Sequence, residues 1–131
     1  MSSFRLQIVT PEGCPFDGQA EALLLRTSEG YVSIRARHAD YIAALDIGRV
    51  TVTVDGAARE AACGGGFLTV EKGEVRLVAT TFEYADTIDT ERAEKAKQRA
   101  EQLLSQSKEA KDIALAKAKL ARALNRLSVA K

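Results

Sequence analysis

Ile88-Asp89-Thr90-Glu91-Arg92-Ala93 marks the point at which this 131-residue chain changes character. All nine Gly and both Pro lie before it. After it come chiefly Ala, Leu, Lys, Arg, Glu and Gln, the residues that lose least on entering a helix. Asp89 or Thr90 is placed to cap the first turn, because either side chain accepts from an orphan backbone N–H. The spacing predicts two helices of about four turns. Ala93, Ala96, Ala100, Leu103 and Leu104 recur along the first, and Ile113, Ala116, Leu120, Leu124 and Leu127 form a stripe on the second. Ser105-Gln106-Ser107 is the weakest helical stretch and the expected turn, which makes an antiparallel hairpin. Ala114, Ala118 and Ala121 are expected to form a small-residue seam through which the helices approach.

Working back from that boundary, Phe4, Leu6 and Ile8 alternate with Arg5 and Gln7, and Pro11-Glu12-Gly13 breaks the run. Ala22–Arg26, Tyr31–Ile34 and the β-branched run Val50–Val54 read as further strands. Asp55-Gly56 is a hairpin signal, since it supplies the positive φ that a primed turn needs. Ala57–Cys63 would return antiparallel, Gly64-Gly65-Gly66 marks a close backbone approach, and Phe67–Val70 and Glu74–Ala79 complete the set. Short strands at this spacing predict a β-sandwich or barrel. The expected organisation is a β-sandwich domain over 1–85 followed by an α-helical antiparallel hairpin over 86–131.

A net charge of +1 conceals an uneven distribution. Residues 1–91 carry 8 Lys+Arg and 14 Asp+Glu, whereas residues 92–131 carry 11 and 4, so the balances are −6 and +7. A basic tail of this kind meets something acidic: a nucleotide, a nucleic acid, a carboxylate-rich protein surface or the acidic half of its own chain. Few aromatics for base stacking and a near-neutral total argue against nucleic acid. Cys14 and Cys63 lack metal-ligand spacing and are expected as free thiols in a reducing compartment. No apolar window approaches a membrane span. The single His38 has no catalytic partner at a suggestive spacing, so no enzyme is expected. Gly64-Gly65-Gly66 lacks the Lys-Ser/Thr of a phosphate loop and leads into a strand.

Arg92 and Arg99 share a face of the first helix, and Arg122 and Arg126 share one on the second. If the hairpin closes through the alanine seam, three guanidiniums from the two helices can converge, a cluster that repels itself unless an anion sits in it. Phosphate suits, because the planar fork makes paired hydrogen bonds to it. The alternative on spacing alone is a solvated basic face.

Taken with Ile8-Val9-Thr10-Pro11-Glu12-Gly13, Glu29-Gly30, His38-Ala39, Gly65-Gly66-Phe67-Leu68-Thr69-Val70 and Arg122-Ala123-Leu124-Asn125-Arg126-Leu127-Ser128-Val129, the opening stretch resembles the epsilon subunit family of bacterial F-type ATP synthases. The resemblance runs over essentially the whole chain. It implies a non-catalytic rotor subunit, peripheral on the cytoplasmic side of the cell membrane and reaching the membrane only through partners. Those partners are the gamma subunit and the c-ring, with the alpha and beta subunits added when the helices extend and inhibit ATP hydrolysis. It also implies ATP, optionally with Mg2+, as a regulatory ligand of the closed hairpin and no obligatory cofactor or metal. By the family pattern the ATP residues would be Glu83, Ile88, Asp89, Arg92, Ala93, Arg99, Arg122 and Arg126, with Asp89 orienting Arg92. Glu29, His38 and Asp40 would meet the c-ring. The chain departs from the pattern in that loop, with Ser33 where a Gly is usual and Arg35 where a Leu is usual.

Overall fold

The computed structural model describes residues 2–130, which divide into two compact units between Tyr84 and Ala85. The first holds strands β1 (Phe4–Thr10), β2 (Gly13–Ala20), β3 (Ala22–Thr27), β4 (Gly30–Ile34), β5 (Tyr41–Val54), β6 (Ala57–Glu71), β7 (Glu74–Ala79) and β8 (Phe82–Tyr84). Neighbours run β2-β1-β7-β6-β5-β3-β4, with β8 added on β6. β1 and β7 are parallel, and every other pair is antiparallel.

A sandwich results because the β5/β6 ribbon is too long for one layer. Its 14-residue and 15-residue strands would extend about 46 Å if straight, against about 30 Å for a domain of this size. Register between them is unbroken from Tyr41↔Val70 to Val54↔Ala57, whereas β3 slips against β5 between Leu24 and Thr27. The ribbon therefore bends as a unit. One of its ends, at Gly56, borders a cavity with Arg37, and the other, at Lys72, donates its amide to the Asp40 carboxylate at 3.0 Å. Arg37 to Asp40 spans at most about 11 Å, so the ribbon doubles back.

Glycine permits the bend. A Cβ on Gly66 would stand 2.9 Å from the Ala79 Cα and closer still to the Val78 carbonyl, and its φ of +137° is one that side chains avoid. The Asp55-Gly56 turn has φ of 50° and 78°, the primed geometry its sequence predicts. Between the layers lies an apolar core that includes Leu6, Ile8, Leu23, Leu25, Ile34, Leu68 and Leu77, all fully buried.

Four strands differ from the sequence reading: β8 is absent from it, and β6 runs unbroken through Gly64-Gly65-Gly66, where the reading has two strands. β2 is absent from it, because Pro15 and Gly18 read as loop; β2 is an edge strand, where a missing N–H costs no ladder bond. β5 starts at Tyr41 rather than beyond Gly48, since its first half follows the alternation of a bent strand and ignores that Gly.

The second unit opens with a 3-10 turn, Ala85–Thr87, followed by α1 (Thr90–Gln106) and α2 (Ala110–Ala130), which pack as a hairpin. Two expectations about the hairpin are corrected. The connection is 107–109, since Ser105 and Gln106 remain helical; Ser105 satisfies its hydroxyl on the Gln102 carbonyl and Ser107 caps the end. The seam does not run through Ala114, Ala118 and Ala121, of which the first and last are exposed. Ala93 and Ala100 on α1, and Ala116 and Ala123 on α2, are buried instead. With half-buried Lys97, Leu104, Ile113, Leu120 and Leu127 they make a seven-residue repeat on each helix, the period that keeps one stripe facing a partner. Leu124 falls outside that repeat and is 46% exposed.

Candidate functional site

The site predicted on the helices begins at a cap. Asp89 has extended φ/ψ of −81°/99°, and its carboxylate accepts the Arg92 backbone N–H at 3.0 Å. This is the expected start of α1, but it changes the role expected of Asp89. Its recorded bond holds the Arg92 main chain, not the guanidinium. Ile88, half-buried, closes the preceding turn through its amide to the Ala85 carbonyl at 3.4 Å.

Helix geometry then fixes where the arginines stand. Arg92 and Arg99 each precede a buried alanine (Ala93, Ala100) by one residue, a rotation of about −100° from the seam. Arg122 precedes Ala123 in the same way, and Arg126 follows it by three, about −60°. The helices are antiparallel, so equal rotations bring side chains to the same flank. All four arginines occupy that flank. Residues equidistant from the central connection residue Lys108 lie level: Ala93 with Ala123, and Ala100 with Ala116. Arg92 is thus level with the gap between Arg122 and Arg126, within about 3 Å of axial rise of each, while Arg99 lies about 7.5 Å nearer the connection than Arg122. Arg92 and Arg99 are exposed, and Arg122 and Arg126 half-buried. The opposite flank carries Glu94 and Glu101 of α1, and Glu94 pairs with Lys97 at 3.8 Å. The basic flank is therefore a strip that a polyanion several ångströms long could follow. Glu83 lies on β8 in the first unit, half-buried, opposite Ala62 of β6.

The second predicted set sits at the end of the sandwich carrying the Lys72-Gly73 turn. Glu29 is exposed in the β3–β4 turn, which buried Thr27 fastens by donating to the Gly30 carbonyl at 2.8 Å and accepting the Glu29 amide at 3.1 Å. His38 is half-buried, its Nδ1 2.8 Å from the Ala39 carbonyl and its ring edge-on to Tyr41 at 5.7 Å. Asp40 is committed to Lys72, which makes it a fastening of the loop as well as an exposed carboxylate.

One surface escaped the sequence reading. Register places Val9, Val78, Phe67 and Ala44 side by side on four adjacent strands. They face outward: Phe67 is 45% exposed, and Ile42, two residues from Ala44, is 74% exposed. An apolar row of this kind on the solvent side of a sheet is the form of a protein–protein contact. Its signal was Phe67-Leu68-Thr69-Val70, where both phases of the alternation carry bulk. Among the described residues no group of three or more His, Cys, Asp or Glu is gathered to hold a metal, and no helix is long and apolar enough to cross a membrane.

Comparisons with known proteins cover the whole chain. Residues 3–85 match the family described as ATP synthase, Delta/Epsilon chain, beta-sandwich domain, and residues 86–131 match the corresponding long alpha-helix domain. A Ruminococcus albus protein named ATP synthase epsilon chain is 39% identical over 131 residues, covering 99% of this chain and 98% of its own. One of the same name from Alkaliphilus oremlandii is 46% identical over 106 residues, covering 81% and 79%. Among solved structures, a chain of the Euglena gracilis mitochondrial ATP synthase OSCP/F1/c-ring assembly superposes with a TM-score of 0.79 at 22% identity, covering 92% of this chain and 77% of that one. A chain of the Tetrahymena thermophila mitochondrial ATP synthase central stalk and c-ring gives 0.68 at 14%, covering 97% and 96%. At those identities the two structures speak to the fold.

Proposed function

The chain belongs to the ATP synthase delta/epsilon family, and from that premise we propose that it is a non-catalytic subunit of the rotor, peripheral on the cytoplasmic side of the cell membrane, that couples ion-driven rotation to ATP synthesis and restrains ATP hydrolysis. In this reading the sandwich docks the gamma subunit through the apolar row of Val78, Phe67, Ala44 and Ile42. The end bearing Glu29, His38 and Asp40 meets the c-ring. The helices alternate between the closed hairpin, which holds ATP, and an extended form that reaches the alpha and beta subunits. Nothing in the comparisons supports the other reading of the basic tail, a free-standing nucleic-acid module.

One observation carries the regulatory part: four arginines on a single flank of a hairpin closed mainly on alanine. Guanidiniums gathered there repel one another, and a nucleotide triphosphate, with Mg2+ or without, relieves that repulsion only while the helices lie together. ATP then favours the closed state by its differential affinity, and its loss releases the helices. Asp89 contributes by capping α1 so that Arg92 is presented at the open end, while Ile88 and Ala93 enter as the family pattern's apolar positions on either side of it. Glu83 enters as the family pattern's acidic position.

Two experiments test this. Calorimetry of the isolated chain with ATP is expected to give saturable heat that Arg92→Ala and Arg126→Ala each diminish; no heat at millimolar nucleotide removes the sensor. Hydrolysis by the assembled complex is expected to rise when residues 86–131 are deleted, and equal rates at low ATP contradict the inhibitory role.

A further inference from the structure

Seven arginines lie in residues 1–84, and five have a use. Arg5 pairs with Asp17, Arg26 with Asp46 and Arg49 with Glu60. Arg76 donates to Gln7, and Arg59 lies over the Tyr84 ring at 3.6 Å. The guanidiniums of Arg35 and Arg37 have no hydrogen bond or ion pair among the described residues. Both border one cavity of about 480 Å³, within the range of small-ligand sites.

The cavity's other walls do not neutralise them. Ala22 and Ala36 are apolar, and the one carboxylate in the lining, Glu21, which accepts the Gly56 amide at 2.6 Å, leaves an excess of one positive charge against the two guanidiniums. Arg37 also has a φ of 62°, a left-handed conformation that costs a non-glycine residue about 1–2 kcal/mol.

We propose that this cavity binds a phosphate group between Arg35 and Arg37. Two planar forks suit the bidentate recognition of a tetrahedral oxyanion, and the alanine walls tolerate an apolar body attached to it. The site lies wholly within the sandwich and is independent of the hairpin arginines. The phosphate has two sources, a soluble phosphate compound or the headgroup of an anionic lipid.

The test uses the full chain, titrated with inorganic phosphate at constant ionic strength and followed by residue-resolved amide NMR. Saturable shifts are expected at Ala36, Arg37 and Gly56. Arg37→Gly relieves the backbone strain while removing the guanidinium, so it is expected to fold at least as well and to bind about tenfold or more weakly. Arg35→Lys keeps the charge without the fork and should lose less. Co-sedimentation with phosphatidylglycerol vesicles but not phosphatidylcholine vesicles, abolished when Arg35→Ala is combined with Arg37→Gly, assigns the phosphate to a lipid. Shifts with inorganic phosphate and no sedimentation assign it to a soluble compound. Shifts confined to residues 92–126, or undiminished in both single variants Arg35→Ala and Arg37→Gly, overturn the proposal, as does no saturable change with either probe.

Discussion

The sandwich and the hairpin are held by different kinds of contact. Burying a leucine-sized side chain contributes about 1.5–3 kcal/mol, whereas an alanine methyl contributes about 0.8 kcal/mol. The sandwich core is built on seven fully buried leucine or isoleucine side chains; the fully packed positions of the hairpin are alanines and Val129. Alanine lets two helices come close but leaves little to hold them, and Lys97 places a cation within the seven-residue repeat. A rigid platform and a weakly closed pair of helices therefore follow from side-chain size alone. The proposed regulatory role needs that division, one part keeping its docking surface while the other changes state.

Removing bulk from the platform should have the largest effect. Leu68→Ala is expected to destabilise by about 2–5 kcal/mol in urea denaturation followed by circular dichroism, while Leu124→Ala, on an exposed position, should stay within about 0.5 kcal/mol. If the two cost the same, the contrast between the units fails. Next comes the seam. Ala100→Leu forces a large side chain against Ala116 and should cost about 1–3 kcal/mol, read as faster amide exchange in α1 and α2 with the β-strand amides unchanged. A smaller loss, about 1 kcal/mol, is expected when Asp89→Ala removes the cap. Carbon chemical shifts over Thr90–Ala93 would report the fraying, and Asp89→Asn should restore the helix start.

The smallest effect at neutral pH concerns the thiols. Burial pushes the Cys63 thiol above its ordinary value of 9.0, partly offset by a backbone hydrogen bond with Gly65. The folded state thus resists the thiolate: the contribution of Cys63 to stability is whole below pH 9.0 and is lost as pH rises above it. Cys63→Ala should flatten that alkaline loss relative to the parent. At pH 8 a thiol reagent should label exposed Cys14 promptly and Cys63 only on unfolding.

What was legible in the sequence divides along the same line. Backbone features with a covalent cause were readable: the Asp55-Gly56 turn announces positive φ and Gly64-Gly65-Gly66 a close approach, whatever surrounds them. β2 and the first half of β5 were not, because an edge position excuses Pro15 and a bend in a long ribbon excuses Gly48, and both are facts of tertiary structure. On the helices, Asp89 could be read as a cap from its type and place. The seam could not, since Ala114, Ala118 and Ala121 have the same composition as Ala116 and Ala123. Which alanines are buried depends on where α1 lies, and α1 offers Ala93 and Ala100. The four arginines nevertheless fall on one flank, because their spacing relative to those alanines is written in the chain. The outward Phe67 row was hidden by reading one phase of a strand at a time.

Native-state hydrogen exchange on the full chain, with and without ATP, tests the central claim most directly. The amides of α1 and α2 are expected to exchange far faster than those of Leu6, Leu68 and Leu77, and saturating ATP should slow the helices while leaving the strands as they were. Equal protection in the two units, or helices indifferent to ATP, would contradict it.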